Sequence, residues 1–376
     1  MSYGNPAARS LPDFPWDRLV PFADIARSHP NGIIDLSIGT PVDPTPAIIQ
    51  EALAASSNAP GYPTTVGLLE LREAARAWFE RRLGVVALDT AAIIPSIGSK
   101  EVVAWLPTFL GLTPRDVVAI PATAYPTYDV GARIAGCSVL TADTAEELEA
   151  VRKKVEATGR RLAMAWVNSP SNPTGRVLPV AELRAIVEWG REHEVLIVSD
   201  ECYLELGWDV EPVSVLHPDV IGDSLTGVIA VHSLSKRSNL AGYRAGVIAG
   251  DKKLIAEMLE IRKHAGMIVS APVQRAAIAA FNDDAHVIAQ REIYRARRDV
   301  LKEALTHAGF DIHFSNAGLY LWATRGESSW LTVEWLAQRG ILVAPGSFYG
   351  AAGEGFVRVA MTATDERIGQ VSARLS

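Results

Sequence analysis

The first two thirds of the chain alternate short, almost wholly apolar runs with longer stretches whose apolar residues recur every three or four positions. The apolar runs have the length of strands and are apolar on both faces, as expected where helices cover a sheet on both sides. These runs are 91–98, 116–122, 162–168, 195–200 and 227–234. The helix-like stretches include 67–84, 99–111 and 179–193. This alternation predicts an α/β fold with a mostly parallel central sheet between helices.

The pattern changes after about residue 250, where two long stretches with helical periodicity are followed by a few short strand-like segments. Helices are predicted at 252–264 and 285–307, followed by a mixture of strands and helices. We interpret this part as a smaller α+β domain that both chain ends build. The predicted boundaries are 45–250 for the large domain, and 1–44 with 251–376 for the small domain and its N-terminal arm.

Composition and charge exclude several classes of protein. The 376 residues are 48% hydrophobic, enough for a large core, and their net charge of -7 argues against a nucleic-acid or anionic-membrane partner. The two cysteines show neither CxxC nor metal-ligand spacing, so we predict no metal and a reduced environment. No apolar run approaches the length of about 20 residues that crosses a bilayer, and the N-terminus lacks a signal-peptide pattern. We therefore expect a cytoplasmic protein.

Polar side chains follow each of the five strand-like runs. Ligands of parallel sheets bind beyond the carboxyl ends of the strands, so these clusters predict one shared ligand site. The clusters are Ser96 with Gly98 and Ser99, Tyr125, Asn168 to Gly175, Asp200 to Tyr203, and Ser233 to Lys236. Core packing alone would not place polar residues at five strand ends.

Lys236 stands directly after the apolar run 227–234, within the segment "HSLSKRSNLAGYR" (232–244). A lysine at the end of a buried strand loses solvation, and Arg237 and Arg244 add nearby positive charge. Both effects lower the pKa of an amine and favour a nucleophile. The residues alone leave a solvated surface lysine as an equal alternative.

Three segments together resemble the signatures of fold type I pyridoxal-phosphate aminotransferases. They are "SLSK" (233–236) with Arg244 behind it, "NSPSNPTG" (168–175) and "SDECY" (199–203), in the order and spacing of that family. The resemblance extends over essentially the whole chain. It implies the family's fold, pyridoxal 5′-phosphate as cofactor, amino-acid and 2-oxo-acid substrates, and a homodimer with shared active sites.

The resemblance also implies catalytic roles for Lys236, Asp200 and Tyr203. Lys236 would form the Schiff base with the cofactor and later move the proton at the substrate α-carbon. Asp200 would keep the cofactor's ring nitrogen protonated, which the electron-sink chemistry requires. Tyr203 and Asn172 would hydrogen-bond its phenolic oxygen, and Tyr125 would stack on its ring.

The implied phosphate site combines helix-start N–H groups with hydroxyl and cationic donors, as anion binding requires. Its residues are Gly98, Ser99, Lys100, Ser233, Ser235 and Arg244. Tyr62 would reach across a subunit interface to the partner's cofactor phosphate. For the substrate, the resemblance implies that Arg358 binds the α-carboxylate, with Gly39 and Asn172 as further contacts.

Further segments narrow the resemblance to the actinobacterial N-succinyldiaminopimelate aminotransferases. They include "LPDFPWDRL" (11–19), "LSIGTPVDPTP" (36–46) and "RGILVAPGSFYG" (339–350), and Ser238–Asn239 agrees with this subgroup. The implied reaction moves an amino group between glutamate and N-succinyl-2-amino-6-oxopimelate, in the diaminopimelate route to lysine.

Both amino donors of that reaction carry a carboxylate away from the reacting centre, which a second cation or a polar cluster must meet. The sequence offers four candidates without choosing among them: Arg18, Arg27, Arg262 and Lys263. We hypothesise that Phe14 and Trp16 cover the site from an N-terminal arm.

Other functions remain open at this point. An aspartate or aromatic aminotransferase, or a carbon–sulfur lyase, would share the same core residues. A non-catalytic, cofactor-binding regulator is a candidate of another class, although no DNA-binding motif precedes the first aminotransferase-like segment. A nicotinamide enzyme is disfavoured because no GxGxxG opens a strand-to-helix turn.

Overall fold

A computed structural model describes residues 11–376 and contains one sheet of seven strands and one of five. The seven-stranded sheet is formed by β2 (Ile93–Ser96), β3 (Asp116–Ile120), β4 (Ser138–Thr141), β5 (Arg161–Asn168), β6 (Leu196–Asp200), β7 (Val228–Ser233) and β8 (Gly246–Gly250). The five-stranded sheet is formed by β1 (Ile34–Leu36), β9 (Asp311–His313), β10 (Tyr320–Thr324), β11 (Ile341–Pro345) and β12 (Val357–Ala360).

Helices fill most of the chain between these strands. Up to β8 they are α1 (Val20–Arg27), α2 (Ala47–Ala55), α3 (Leu69–Leu83), α4 (Ser99–Phe109), α5 (Thr127–Ile134), α6 (Ala145–Glu156), α7 (Val180–Glu192), α8 (Pro218–Ile221) and α9 (Leu234–Arg237). After β8 they are α10 (Lys252–His264), α11 (Ala271–Asn282), α12 (Ala285–His307), α13 (Ser329–Ala337), α14 (Asp365–Gly369) and α15 (Val371–Leu375).

The seven-stranded sheet has the order β2-β8-β7-β6-β5-β3-β4. The strands from β4 to β7 in this order are parallel, whereas β8 runs antiparallel to both β7 and β2. The prediction of an α/β fold with a mostly parallel sheet is therefore confirmed. In the parallel register Asn168 pairs with Asp200, so two of the predicted polar clusters begin side by side.

Alternating side chains bury both faces of this sheet. In β7, Val228 and Ala230 pack into one core with α3 and α7, whereas Ile229 and Val231 pack into the other with α4 and α5. This explains the absence of a polar face in the strand-like runs. Helix α11 also packs against the first of these cores through Ala276, Ala277, Ala280 and Phe281.

The five-stranded sheet, in the order β1-β11-β12-β10-β9, joins the two ends of the chain. Ile34 of β1 pairs in parallel with Ile341 of β11, and the other neighbouring strands are antiparallel. Helix α12 covers this sheet with Tyr294 and Leu301. The division of the chain into domains at residues 45 and 251 stays a prediction.

Several elements were absent from the sequence prediction because they lack an apolar run of strand length. Strand β1 has three residues, and the edge strand β4 is only partly buried. Within residues 11–376, no helix is long and apolar enough to cross a membrane. The same residues contain no group of three or more side chains placed to hold a metal ion.

Candidate active site

A cavity of about 560 Å³ lies where the carboxyl ends of the large sheet's strands meet the smaller sheet. The predicted catalytic, cofactor-binding and substrate-binding residues that line it are Gly39, Ser99, Lys100, Tyr125, Asn172, Asp200, Tyr203, Ser233, Ser235, Lys236, Arg244 and Arg358. Two other candidates lie outside the lining. Gly98 packs behind Arg244, and Tyr62 is 100% exposed in the loop before α3.

Lys236 is presented to the cavity by the short helix α9, which begins directly after β7. The Ser233 hydroxyl accepts a 3.1 Å hydrogen bond from the Ser235 N–H and so caps this helix. Lys236 Nζ donates a hydrogen bond to the carbonyl oxygen of Gly39. Burial lowers the pKa of Lys236, with Arg358 and Arg244 acting in the same direction. The amine is therefore more easily deprotonated than an ordinary lysine, as a nucleophile requires.

Arg237, the residue after Lys236, anchors this part of the chain in the core. Arg237 is buried and forms an ion pair with Glu205, while its guanidinium lies 5.3 Å from the ring centroid of Trp78. A second Arg237 hydrogen bond, 3.0 Å, reaches the carbonyl oxygen of Ala280 in α11. Because Arg237 is anchored in the core, the adjacent Lys236 points into the cavity.

Asp200 ends β6 and is buried against the cavity. Its carboxylate accepts a 2.9 Å hydrogen bond from the Tyr128 hydroxyl and a 3.2 Å hydrogen bond from the Cys202 N–H. Burial raises the pKa of this carboxyl above its ordinary range. Asp200 forms no ion pair with another described residue, so a cation bound in the cavity would supply its missing partner.

Asn168 ties the loop after β5 to the end of β6. Its side chain donates a 2.9 Å hydrogen bond to the carbonyl oxygen of Asp200 and accepts a 2.7 Å hydrogen bond from the Asn172 N–H. The Asn172 side chain is thereby held at the cavity, where its Oδ1 accepts a 2.9 Å hydrogen bond from Arg358.

The start of α4 and Arg244 form a cradle suited to an anion. Gly98 precedes α4 with a φ of 74°, and the first N–H groups of the helix, at Ser99 and Lys100, have no acceptor within the helix. A Cβ atom on Gly98 would lie 2.3 Å from Arg244 Nη2, so only glycine lets the guanidinium approach this closely. Helix-start N–H groups beside a guanidinium are the donors that phosphate prefers.

Arg358 lies in β12 and is 3% exposed, yet none of residues 11–376 gives it a carboxylate partner. Its Nη2 donates a 2.6 Å hydrogen bond to the carbonyl oxygen of Ser37, and its Nε is buried without a partner. Its guanidinium lies 4.0 Å from the ring centroid of Tyr320 and 5.0 Å from that of Tyr349. A buried, uncompensated guanidinium of this kind favours an anionic ligand.

The residues present fit pyridoxal 5′-phosphate, the cofactor that the resemblance implies. Asp200 would face the protonated ring nitrogen, and the cradle at Arg244 would hold the phosphate. Lys236 would meet the aldehyde carbon, with Tyr203 beside the phenolic oxygen. Arg358 would remain for the carboxylate of a substrate. The cavity thus offers a separate, chemically matched group for each polar end of the cofactor and of an amino acid.

Sequence reasoning missed two tyrosines at this site. Tyr128, which hydrogen-bonds Asp200, lies in the first turn of α5, and its position three residues after the predicted Tyr125 was the available signal. Tyr320 lines the cavity at the start of β10, and its hydroxyl lies 3.0 Å from that of Tyr203. In the sequence Tyr320 belongs to an apolar strand-like segment and shows no functional signal.

The four cations considered for a second carboxylate do not line the cavity. Arg262 is fully buried in an ion pair with Glu101, and Arg18 lies 4.7 Å from the ring centroid of Trp330. Arg27 and Lys263 form surface ion pairs within their own helices. Phe14 and Trp16, in contrast, do line the cavity.

Comparisons with known proteins agree with this geometry. The family model "Aminotransferase class I and II" matches residues 31–375. The probable aminotransferase Rv1178 of Mycobacterium tuberculosis is 58% identical over 98% of this chain and 86% of its own. The 4-dedimethylamino-4-oxo-anhydrotetracycline transaminase OxyQ of Streptomyces rimosus is 55% identical over 98% of this chain and 100% of its own.

A similar solved structure is that of a probable N-succinyldiaminopimelate aminotransferase from Thermus thermophilus. It has a TM-score of 0.85 and 29% sequence identity, and the match covers 96% of this chain and 99% of that one.

Proposed function

Because the chain belongs to the class I and II aminotransferases, which depend on pyridoxal 5′-phosphate, we propose that it transfers an amino group between glutamate and N-succinyl-2-amino-6-oxopimelate. This reaction belongs to the diaminopimelate route to lysine. The name of the Thermus thermophilus relative supports this choice of substrate. The observation that carries it is a cation in the cavity, Lys100, which forms no ion pair with an acidic side chain of residues 11–376.

Lys100 lies at the start of α4, exposed on the cavity wall. It forms no ion pair with any residue from 11 to 376, in contrast to Arg262 and Lys263. Glutamate and the succinylated substrate each bear a second carboxylate beyond the reacting carbon. Lys100 can meet one such carboxylate while Arg358 holds the α-carboxylate, so the cavity offers a cation to each of two carboxylates of the substrate.

In this proposal Arg358 orients the substrate so that its α-carbon faces Lys236. Two parallel guanidinium donors fix a carboxylate in one plane, which a lysine at the same position would not do. Bound pyridoxal phosphate supplies the electron sink that stabilises negative charge at the α-carbon. The Asp200 carboxylate holds the ring-nitrogen proton on which that sink depends.

Lys236 then acts as the acid–base group at the α-carbon. Its lowered pKa would let the free amine accept a proton from that carbon and deliver it to the cofactor, and move a proton in the opposite direction in the second half of the transfer. Tyr203 and Asn172, which line the same cavity as Lys236, would donate hydrogen bonds to the phenolic oxygen of the cofactor.

A second candidate function is amino transfer to a large, planar, polycyclic oxo compound. The name of the OxyQ relative suggests it, and the aromatic wall of the cavity favours it. The rings of Phe14 and Trp16 lie 5.7 Å apart, and Trp16 lies 5.4 Å from Phe348. Such a wall suits either a flat ring system or a long acyl chain.

A panel of half-reactions distinguishes these functions. The absorbance of the bound cofactor should change when glutamate is added and recover when N-succinyl-2-amino-6-oxopimelate follows. Recovery only with a polycyclic ketone would favour the second candidate. Formation of pyruvate and ammonia from cystathionine would indicate a carbon–sulfur lyase, and an absorbance that no amino donor changes would indicate a non-catalytic regulator.

The role of Lys100 has its own test. Lys100→Met should raise the KM for glutamate by about 10-fold, since it removes one charged hydrogen bond to a carboxylate. The KM for alanine, which has no second carboxylate, should change little. Lys154→Met, at an exposed lysine on α6, is the matched control. Equal effects on glutamate and alanine would contradict the assignment.

We also propose a homodimer in which Tyr62 of each subunit completes the partner's phosphate site. The complete exposure of Tyr62, in the loop before α3, supports a subunit contact at this loop. Analytical ultracentrifugation should give the mass of a dimer. Tyr62→Phe should weaken cofactor binding while the protein stays dimeric.

A further inference from the structure

Tyr320 contacts both the predicted cofactor tyrosine and the predicted carboxylate arginine. It is 3% exposed at the first position of β10. Its hydroxyl lies 3.0 Å from the hydroxyl of Tyr203, and its ring centroid lies 4.0 Å from Arg358 Cζ. The hydrogen bond to Tyr203 is the only one that the Tyr320 hydroxyl forms with residues 11–376. One side chain therefore spans the distance between the two groups.

Gly39 makes room for this hydroxyl. A Cβ atom at position 39 would lie 2.1 Å from Tyr320 Oη and 2.7 Å from its Cζ, so any larger residue would displace the ring. The carbonyl oxygen of the same Gly39 accepts the hydrogen bond from Lys236 Nζ. Gly39 therefore contacts both the Tyr320 hydroxyl and the amine of Lys236.

We propose that Tyr320 is a positioning residue that couples carboxylate binding at Arg358 to the hydrogen bond that Tyr203 donates to the cofactor. This proposal rests on the proposed roles of Tyr203 and Arg358. It concerns no particular substrate, because every amino acid presents an α-carboxylate.

The coupling follows because the hydroxyls of Tyr203 and Tyr320 each have one proton and can each donate only one hydrogen bond. If the Tyr203 O–H donates a hydrogen bond to the cofactor's phenolic oxygen, then among residues 11–376 Tyr320 is the one donor placed to give a hydrogen bond to the Tyr203 oxygen. A donated hydrogen bond polarises the receiving O–H group and strengthens its own donation. A carboxylate at Arg358 draws the guanidinium toward itself and changes its contact with the Tyr320 ring, which moves the hydroxyl relative to Tyr203.

The experiment is a pH titration of the absorbance of the holoenzyme, without turnover. When the nitrogen of Lys236 bound to the cofactor loses its proton, the phenolic oxygen keeps an uncompensated negative charge and depends on Tyr203. Tyr320→Phe weakens that donation and should raise the midpoint of the titration by about 0.3 to 1 pH unit. Tyr203→Phe should raise it further.

Double substitution tests whether Tyr320 acts through Tyr203. In a Tyr203→Phe background, Tyr320→Phe should leave the midpoint unchanged, because the acceptor of its hydrogen bond is gone. Succinate, a carboxylate without an amino group, should shift the midpoint of the wild-type holoenzyme. The shift should be at least halved in Tyr320→Phe, although phenylalanine keeps the ring beside Arg358.

Tyr349→Phe is the matched control. Tyr349 is buried with its ring centroid 5.0 Å from Arg358 Cζ, but its hydroxyl has no hydrogen-bond partner among residues 11–376. Its loss should leave the midpoint where it is. An unchanged midpoint in Tyr320→Phe would overturn the proposal, as would a shift that persists in the Tyr203→Phe background. Absence of a Lys236-bound chromophore from the wild-type protein would contradict the proposed function, and this proposal with it.

Discussion

Arg358 donates a 2.9 Å hydrogen bond from Nη1 to Asn172 Oδ1, joining two residues that are 186 positions apart. Arg358 belongs to the five-stranded sheet, whereas Asn172 follows a strand of the seven-stranded sheet. The guanidinium that would bind the substrate therefore touches the amide that would bind the cofactor oxygen. In the proposed roles, substrate recognition and cofactor tuning would share this one hydrogen bond between the two sheets.

Arg358→Lys should weaken substrate binding while leaving the cofactor in place. Lysine keeps the positive charge but offers a point charge in place of two parallel donors. We expect the KM for every amino donor to rise by about 10- to 100-fold, the loss of one to two charged hydrogen bonds. Steady-state kinetics check this prediction, with cofactor content measured by absorbance. An unchanged KM would show that the carboxylate binds elsewhere.

Lys236→Ala should abolish turnover and keep the fold. The Arg237–Glu205 ion pair and the N-cap at Ser233 hold α9 in position, and neither of them involves the Lys236 side chain. Borohydride reduction should attach the cofactor covalently to the wild-type protein and to a Lys252→Ala control, whose lysine lies in a surface ion pair. Mass spectrometry should find no attachment at position 236 in the variant. Multiple turnover by Lys236→Ala would refute its role.

Asp200→Asn should stabilise the cofactor-free protein. Burial raises the pKa of Asp200 above its ordinary value of 3.8. The folded state then holds the proton more tightly than the unfolded chain does. The free energy of unfolding therefore falls as pH rises from about 3.8 through the raised pKa, and this loss is complete above it.

Asparagine does not ionise, so the variant does not lose stability as the pH rises. Its side-chain oxygen can accept the hydrogen bond from the Cys202 N–H, and its NH2 group can donate one to the Tyr128 hydroxyl. At pH 7 we expect the variant to be more stable to unfolding than the wild type, with the gain vanishing below about pH 3.8. Urea unfolding of both cofactor-free proteins at several pH values measures this difference. A variant less stable than wild type at pH 7 would contradict the prediction.

Gly98→Ala should weaken cofactor binding by about 10- to 100-fold, because the added Cβ displaces the guanidinium of Arg244 and a charged hydrogen bond to phosphate is lost. Gly111→Ala is the matched control. Gly111 also has a positive φ, 65°, but a Cβ there would have nothing within 4 Å. Equilibrium dialysis with pyridoxal phosphate should give a weaker Kd for the Gly98 variant alone. Equal losses would attribute the effect to backbone strain.

The location of the site was predictable because it depends on topology. Asn168 and Asp200 are paired at the ends of adjacent parallel strands, so the residues after them had to be neighbours. The pattern of apolar runs was sufficient to place them there, and Lys236 follows β7, the next strand of the sheet. This inference required no knowledge of any side-chain contact.

Contacts that depend on packing between distant elements were not predictable. Arg262 was a candidate for substrate binding, but Glu101 on another helix neutralises it inside the core. Tyr320 resembled a core aromatic, because only the folded chain brings its hydroxyl to Tyr203. Apolar periodicity distinguishes a strand from a helix, but it carries no information about which polar atom a buried hydroxyl will meet.

The pairing of β1 with β11 also has a consequence for the order of assembly during synthesis. All seven strands of the larger sheet lie between residues 93 and 250, and α11, which packs against it, ends at Asn282, so this part can form before residues 311–360 of the smaller sheet leave the ribosome. Strand β1 can pair only after residues 341–345 have been synthesised. We expect the hydrogen bond between Gly39 and Lys236 to form after that pairing. We expect the nascent chain to offer an uncovered amine, open to cofactor capture while translation is still under way.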